Sequence, residues 1–530
     1  MPLNRRRFLE NAALTTTAAT LTTTATATTA HASGPHKKPE RRHTLTVMGT
    51  TDLHGHLFNW DYYKDATYTD TAGNTLGLAR ISTLVNHIRK EKGRHNTLLI
   101  DAGDTIQGTP LTYYYAKVDP ITAKGGPVHP MARAMNTIGY DAAALGNHEF
   151  NYGIDTLREF ESQLDFPLLG ANAVDATTLK PAFPPYLIKT FHVHGAPPVK
   201  VAVLGLTNPG IAIWDKANVQ GRLAFPELKV TNDTTGKTVV LSEPLCFAER
   251  LTVFDIELTL HRGRWEVDTV SASLHNTNQA EDDPRITELL TDEHAAVVTY
   301  VNQVVGTATQ TLTTVDARYK DAPIIDLITK VQEDVVKTAL AGTEHARLPV
   351  LAQASPFSRT SEIPAGDVTV RALSSLYVYD NTLVAKLLTG AQIRAYLEYS
   401  AQYYVQTAPD APVDIDALTN ADDRPDYNYD YVSGLTYDID IAQPAGSRIK
   451  NLAHDGNPLD DTAPFVLAVN NYRANGGGAF PHIATTKELW TESTEIRTRI
   501  AEWVTAKGVL DPQDFASTDW KLTRDGTPVF

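Results

Sequence analysis

The sequence predicts an α/β protein of two or more domains, the first built on buried strands and helices and the second a smaller α+β unit. Three observations carry this. Short apolar runs recur from Thr44 to about Leu274, with helical periods between the early ones. A chain of 530 residues is too long for one hydrophobic core. A polar stretch, "NTNQAEDDP" at 276–284, then separates that region from a carboxyl-terminal part with its own amphipathic helix.

The elements follow in order. "TLTVMGT" (44–50), "NTLLIDAG" (96–103), "DAAALG" (141–146), "PLLGANA" (167–173) and "VKVAVLGL" (199–206) read as buried strands. Between the first two, "LARISTLVNHIRKEKG" puts Ile81, Leu84, Val85 and Ile88 on one helical face. "TVVLSE", "LTVFDIELTL" and "WEVDTVSASL" read as neighbouring strands. The first domain is therefore expected over 43–280, a linker over 281–320 and a second domain over 321–530. That domain opens on a helix at 321–340 with Ile324, Ile325, Ile328, Val331 and Val335 on its apolar face.

Composition narrows the function. Hydrophobic content of 42% and charge of 21% are those of an ordinary soluble protein. A net charge of −15 excludes polymeric nucleic acid as a partner but leaves small nucleotides open, since these need only a few local cations. Cys246 is the sole cysteine, so neither an intrachain disulfide nor a thiolate metal cluster can form. No membrane span is expected. "NRRRFLE" (4–10), an Ala/Thr-rich stretch and "AHAS" (30–33) resemble a twin-arginine export signal over 1–32, cleaved after Ala32. The implied location is extracellular, periplasmic or cell-wall associated; the competing reading is a basic tail.

Three polar clusters end three consecutive strands: "TTDLHGH" (50–56), "DAGDTIQG" (101–108) and "GNHEF" (146–150). Asp52 and His54 are two apart, so both point to one side of an extended segment. Carboxylate, imidazole and amide oxygen together suit a borderline divalent ion such as manganese, zinc, iron or cobalt. Each fragment alone is more often a turn or helix cap, but three in order at strand ends point to a metal site. Asn147 would be a neutral oxygen ligand and His148 a proton donor or phosphate contact.

In this order, D-x-H, G-D-x-x-Q-G and G-N-H-E-F resemble the calcineurin-like metallophosphoesterases, and the two-domain layout resembles their 5'-nucleotidase and 2',3'-cyclic-nucleotide 2'-phosphodiesterase family. The resemblance implies a β-sandwich flanked by helices, followed by an α+β carboxyl-terminal domain that binds the nucleotide. It implies two divalent ions, with Asp52 and His54 on the first, Asp104 bridging, Asn147 on the second and His148 acting on the substrate phosphate. Many 5'-nucleotidases carry an aspartate three residues after that histidine; Asn151 stands there in this chain, a variant closer to the cyclic-phosphodiesterase/3'-nucleotidase branch. An amide there gives His148 no carboxylate partner to hold it protonated.

"YNYDYVSGLTYDID" (427–440) and "NNYRANGGGAFP" (470–481) resemble the two base-binding loops of that family. By position Tyr429 and Phe480 match its pair of stacking aromatics, with Tyr472 a third candidate. The alternative is that the tyrosines of "YNYDY" are strand residues packing on a neighbour. Arg359, in "QASPFSRTSEIPAGDVT", and Asn381, in "YDNTL", are the remaining substrate-binding candidates.

The chain departs from the family pattern in one place. Members carry two further strands after the "VKVAVLGL" strand, each ending in metal-binding histidine, whereas residues 206–243 contain none. A segment is missing near "LAFPELKV" (223–230), which leaves sheet edges and apolar faces uncovered. His192, His194, His261 and His275 read as loop or strand-end residues rather than replacements. Two functions are therefore expected: an exported metal-dependent phosphoesterase for 5'- or 3'-nucleotides or 2',3'-cyclic nucleotides, with impaired activity, or a nucleotide-binding relative with an incomplete metal centre and no turnover.

Overall fold

The structure, a computed structural model, describes residues 41–226, 239–415 and 417–530. The expected signal over 1–32 lies outside these residues, as does half of the stretch at 223–230 that is expected to be shortened.

The first sheet is built as the apolar runs dictate. Strands Arg41–Thr50, Thr97–Asp101, Ala142–Ala144 and Leu168–Leu169 are adjacent and parallel. The hairpin Arg250–His261/Arg264–Asn276 extends the sheet beside Arg41–Thr50. Helix Leu78–Lys92 buries Ile81, Leu84, Val85 and Ile88 against one face of this sheet, the stripe that its periodicity marks. The other face is covered by a two-stranded hairpin, Tyr186–Phe191/Val199–Leu204, through Phe191, Val199, Val201 and Val203 against Leu45, Leu98 and Leu258. This is the expected helix-flanked sandwich, with a thin second layer.

Several boundaries differ from expectation. "VKVAVLGL" is not a fully buried strand: it pairs antiparallel, alternates half-buried with exposed, and leaves Leu204 open to solvent beside Tyr186 and Ile188. "PLLGANA" forms only the two-residue strand Leu168–Leu169. The described part of "TVVLSE", from Val239, forms no strand, and Val239, Val240 and Leu241 are exposed. The 281–320 segment is not merely a linker, because helix Pro284–Val301 buries Ile286, Leu290, Val297 and Val301 in the first core.

The second domain packs helix Pro323–Leu340 on a five-stranded sheet, ordered Tyr431–Ser433, Val350–Ala354, Pro464–Asn470, Thr382–Thr389, Glu488–Glu495. A second five-stranded sheet centres on Thr436–Asp440 and Trp520–Arg524. Residues 42–530 form one compact unit, so the two cores are joined. Among the described residues, no helix is long and apolar enough to cross a membrane.

Candidate metal centre and substrate cavity

The three polar clusters leave the carboxyl ends of three adjacent parallel strands, where open α/β sheets gather their ligands. The loops they form are bonded to each other: Asp52 N–H donates to Gly103 O at 2.9 Å and His54 N–H to Asp104 O at 2.8 Å. Asp52, His54 and Asp104 all have left-handed backbones, with φ of 49°, 48° and 61°. Non-glycine residues sit there only when their surroundings enforce it, most often at functional sites. The glycine of "GNHEF" is needed for close approach: a Cβ on Gly146 would strike the Asp104 carboxylate, and one on Gly103 would strike the Gly146 backbone.

Within this frame Asp52, His54 and Asp104 each bring one ligand atom to within 4.8 Å of the others. His54 Nδ1 lies 2.7 Å from Gln107 O, which fixes the proton on Nδ1 and leaves Nε2 as the free ligand atom, 3.7 Å from Asp52 Oδ1. Burial would lower the His54 imidazole, but its bond to Asp52 and the nearby Asp104 charge raise it instead. That negative field is one a cation would relieve.

Two buried carboxylates that the sequence reading passed over hold the loops. Glu149 accepts the Asp104, Thr105 and Gly146 amides at 2.8, 2.5 and 2.6 Å, and burial beside Asp104 pushes its carboxyl up. Asp101 accepts Thr50 Oγ1 at 2.6 Å and Gly103 N–H at 2.9 Å, and burial pushes it up to about 7. Their signal was their place in "DAGD" and "NHEF", directly beside the ligands.

His148 is tied to the same centre, its amide donating to Asp104 Oδ1 at 2.7 Å while its ring meets that of His54 edge-on at 5.2 Å. Its Nδ1 lies 2.7 Å from Asn151 Oδ1, and Asn151 Nδ2 donates to Asp215 Oδ1 at 2.9 Å. A carboxylate only accepts, so Asp215 fixes the orientation of the Asn151 amide, which in turn fixes the His148 proton on Nδ1. As expected from the sequence, the direct partner of His148 is the Asn151 amide and not a carboxylate; Asp215 stands one bond further out and acts on the ring only through that amide. Nothing in "GIAIWDKAN" marked Asp215, because the contact is made between distant short helices.

Asn147 and His148 line a cavity of about 600 Å³ whose opposite wall is the second domain, including Phe357, Tyr379, Asn381, Tyr427, Asn471 and Tyr472. The wall is anchored across the domains by Asp380, which accepts Gln107 Nε2 at 2.7 Å and Tyr152 OH at 2.9 Å and is paired with Arg497. Of the sequence-predicted substrate residues, Asn381 and the third candidate Tyr472 reach this cavity.

The others do not. Tyr429 is wholly buried, stacked on Tyr403 with centroids 4.6 Å apart and its hydroxyl 2.8 Å from Tyr404 OH. The packing part of the alternative holds for it, although Tyr429 precedes the strand Tyr431–Ser433 rather than lying in it, and the exposed tyrosine two residues earlier, Tyr427, lines the cavity. Phe480 is buried against Tyr396, Tyr399 and the Arg473 guanidinium, which itself pairs with buried Asp430. Arg359 is bonded to Asp426 at 2.5 and 3.0 Å and is absent from the cavity lining.

Asp52, His54 and Asp104 fit one divalent ion. A second would have Asn147 and a share of Asp104 only, since no further His, Cys, Asp or Glu joins the group among the described residues. Phe247 stands against it instead, its amide donating to Asp52 O at 2.7 Å and its ring 5.7 Å from that of His54 and 4.4 Å from that of His56. His192 and His194 lie in the hairpin connection and join no such group. The expected two-ion centre is thus incomplete among these residues.

Comparison with known proteins agrees with this architecture. Residues 45–227 match the calcineurin-like phosphoesterase profile and residues 304–485 the 5'-nucleotidase C-terminal domain profile. The 2',3'-cyclic-nucleotide 2'-phosphodiesterase/3'-nucleotidase of Salmonella typhimurium is 30% identical over 90% of this chain and 88% of its own. The trifunctional nucleotide phosphoesterase protein YfkN of Bacillus subtilis is 29% identical over 90% of this chain, which spans only 39% of that longer protein. The solved structure of a candidate 5'-nucleotidase from Staphylococcus aureus superposes with a TM-score of 0.69 at 19% identity, over 91% of this chain and 100% of that one.

Proposed function

Because the chain belongs to the calcineurin-like phosphoesterases with a 5'-nucleotidase carboxyl-terminal domain, a family of phosphate-ester hydrolases, we propose that it cleaves small nucleotides in the cavity shared by its two domains. The preferred substrates on this reading are 2',3'-cyclic nucleotides and nucleoside 3'-monophosphates. The observation that carries it is the single cavity joining His148 and Asn147 to the aromatic wall of Tyr379, Tyr427 and Tyr472.

Each wall has its chemistry. Aromatic faces on the second domain stack the base, and Asn381 and Asn471 offer amide groups to the sugar. On the first domain, Asp52, His54 and Asp104 would hold a manganese, zinc, iron or cobalt ion. Such an ion supplies Lewis-acid polarisation of a phosphoryl oxygen and lowers the pKa of water. His148, with its proton fixed on Nδ1, presents Nε2 to the phosphate or the leaving oxygen, where it can exchange a proton. Asn151 and Asp215 keep that ring oriented. The leader "NRRRFLE" supports export by the twin-arginine route.

A second reading, nucleotide binding without turnover, is favoured by the three-residue ligand group and by Phe247 beside it. One experiment decides between them. The purified protein, loaded with manganese or zinc, is assayed for phosphate-ester cleavage of 2',3'-cyclic AMP, 3'-AMP and 5'-AMP, and binding of the same nucleotides is measured by calorimetry on chelated protein. Cleavage that needs metal supports the first reading, and binding without cleavage in either metal supports the second. Absence of both overturns the nucleotide assignment.

A further inference from the structure

The second domain contains another cluster of acids, outside the cavity lined by His148 and unused by the chemistry above. Asp321 precedes helix Pro323–Leu340, Asp326 sits in its first turn, and Asp519 leads into the strand Trp520–Arg524. Each brings a carboxylate oxygen to within 4.8 Å of the other two. Asp326 is only 1% exposed.

Asp519 accepts a hydroxyl at each oxygen, Ser517 Oγ at Oδ1 and Ser433 Oγ at Oδ2, but the hydrogen bonds of Asp321 and Asp326 are one-sided. Asp321 Oδ2 accepts the Asp519 amide at 2.5 Å, and Asp326 Oδ2 accepts the Ser517 amide at 3.2 Å. Oδ1 of Asp321 and Oδ1 of Asp326 are buried with no hydrogen-bond partner. Buried acceptors are almost always satisfied, so two orphaned oxygens in one cluster need an explanation. Lys330, one turn along the same helix, does not supply it, because its ammonium goes to Glu333 and Asp334. Three carboxylates this close, out of water, repel unless a cation or a proton stands between them.

We propose that Asp321, Asp326 and Asp519 form a structural site for a hard divalent cation of the calcium type, separate from the catalytic centre. The donor set is all oxygen, which selects calcium or magnesium over the borderline metals suited to Asp52, His54 and Asp104. Ser517 Oγ, 3.0 Å from Asp519 Oδ1, adds a neutral oxygen at its edge. An ion there ties the start of the domain's first helix to one of its last strands, so its effect is on the stability of that domain. The competing occupant is a proton shared between the carboxyls.

The test uses the full chain and terbium, which replaces calcium and emits when excited through a nearby tryptophan. Trp520 follows Asp519 directly, whereas Trp214 lines the catalytic cavity. The expected result is terbium emission displaced by calcium, lost in Asp326→Asn and in Trp520→Phe but kept in Trp214→Phe. Calcium after chelation should raise the melting temperature of the wild-type protein and of Asp104→Ala, and leave Asp326→Asn unmoved. Emission that survives Asp326→Asn, or calcium-independent melting of Asp104→Ala, would overturn the proposal. So would a proton-bridged cluster, recognised by Asp326→Asn melting higher than wild type with wild type blind to calcium. None of these readouts depends on nucleotide turnover.

Discussion

Replacing Tyr427 and replacing Tyr429 should separate a cavity residue from a core residue two positions away. Tyr427 is exposed and lines the cavity, so Tyr427→Ala removes a stacking face at little structural cost. Loss of one base–aromatic stack is worth about 1–3 kcal/mol, or roughly a 5- to 150-fold weaker Kd for a nucleoside monophosphate. Tyr429 is fully buried, stacked at 14° on Tyr403 and bonded to Tyr404. Tyr429→Ala should therefore cost about 3–5 kcal/mol of stability, a fall in Tm on the order of 10 °C for a domain of roughly 200 residues. The assay pairs calorimetric titration of 3'-AMP into chelated protein with scanning calorimetry, and Tyr429→Phe serves as a milder probe that keeps the ring. If Tyr429→Phe weakened binding at an unchanged Tm, or Tyr427→Ala bound as tightly as wild type, the assignment of the two rings would be wrong.

Three further outcomes follow from the centre. Asp215→Asn frees the Asn151 amide to turn, so kcat for phosphate release should fall roughly 10- to 100-fold with KM little changed, and nitrogen NMR should show the Nε2-protonated tautomer of His148. Asp104→Ala should take the zinc content of dialysed protein from one ion per chain at the Asp52, His54 and Asp104 group to none. Asp101, raised by burial to about 7 from an ordinary 3.8, keeps its proton in the folded state where the unfolded chain has lost it. The contribution of Asp101 to the stability of the chelated protein should therefore fall as pH rises from about 4 to about 7, by on the order of 4 kcal/mol, and level off above. Asp101→Asn should flatten that slope in urea-unfolding midpoints.

What was legible in the sequence is what rests on local pattern. The parallel strands that lead into the loops of Asp52, Asp104 and Asn147 are short apolar runs bounded by glycine and acid, and the folded sheet brings those ends together as the pattern requires. The apolar stripe of Leu78–Lys92 is equally local. What failed rests on which of two neighbouring residues faces inward. In "YNYDY" the tyrosines share a period of two, so alternation cannot tell Tyr427 from Tyr429; a 3-10 turn at Asp426–Asn428 resets the direction and exposes the first. Phe480 was misplaced for a similar reason, since Gly476 and Gly478 take left-handed backbones and swing the ring back onto Arg473. Asp215 and the Asp321, Asp326 and Asp519 cluster were invisible because their partners are distant in sequence.

The lack of histidine over residues 206–243 bears differently on the frame of the centre and on its affinity. The ligand loops do not depend on the absent histidines for their shape. Glu149 gathers three amides, Asp101 anchors the Gly103 turn, and the Asp52 and Asp104 loops bond to each other directly. These bonds hold Asp52, His54 and Asp104 in left-handed conformations, so the chain itself maintains the strain that the geometry requires. Losing donors from such a frame lowers metal affinity through the number of bonds to the ion, not through disorder of the donors that remain. Phe247 places an apolar ring, and no further donor, beside His54 and His56. With three donors grouped for one ion, and Asn147 with a share of Asp104 for another, the expected outcome is tight binding of a first ion and weaker binding of a second. Activity should then rise with added metal in a second, weaker phase after the first ion is bound, and a single saturating phase at one equivalent would refute that division of labour.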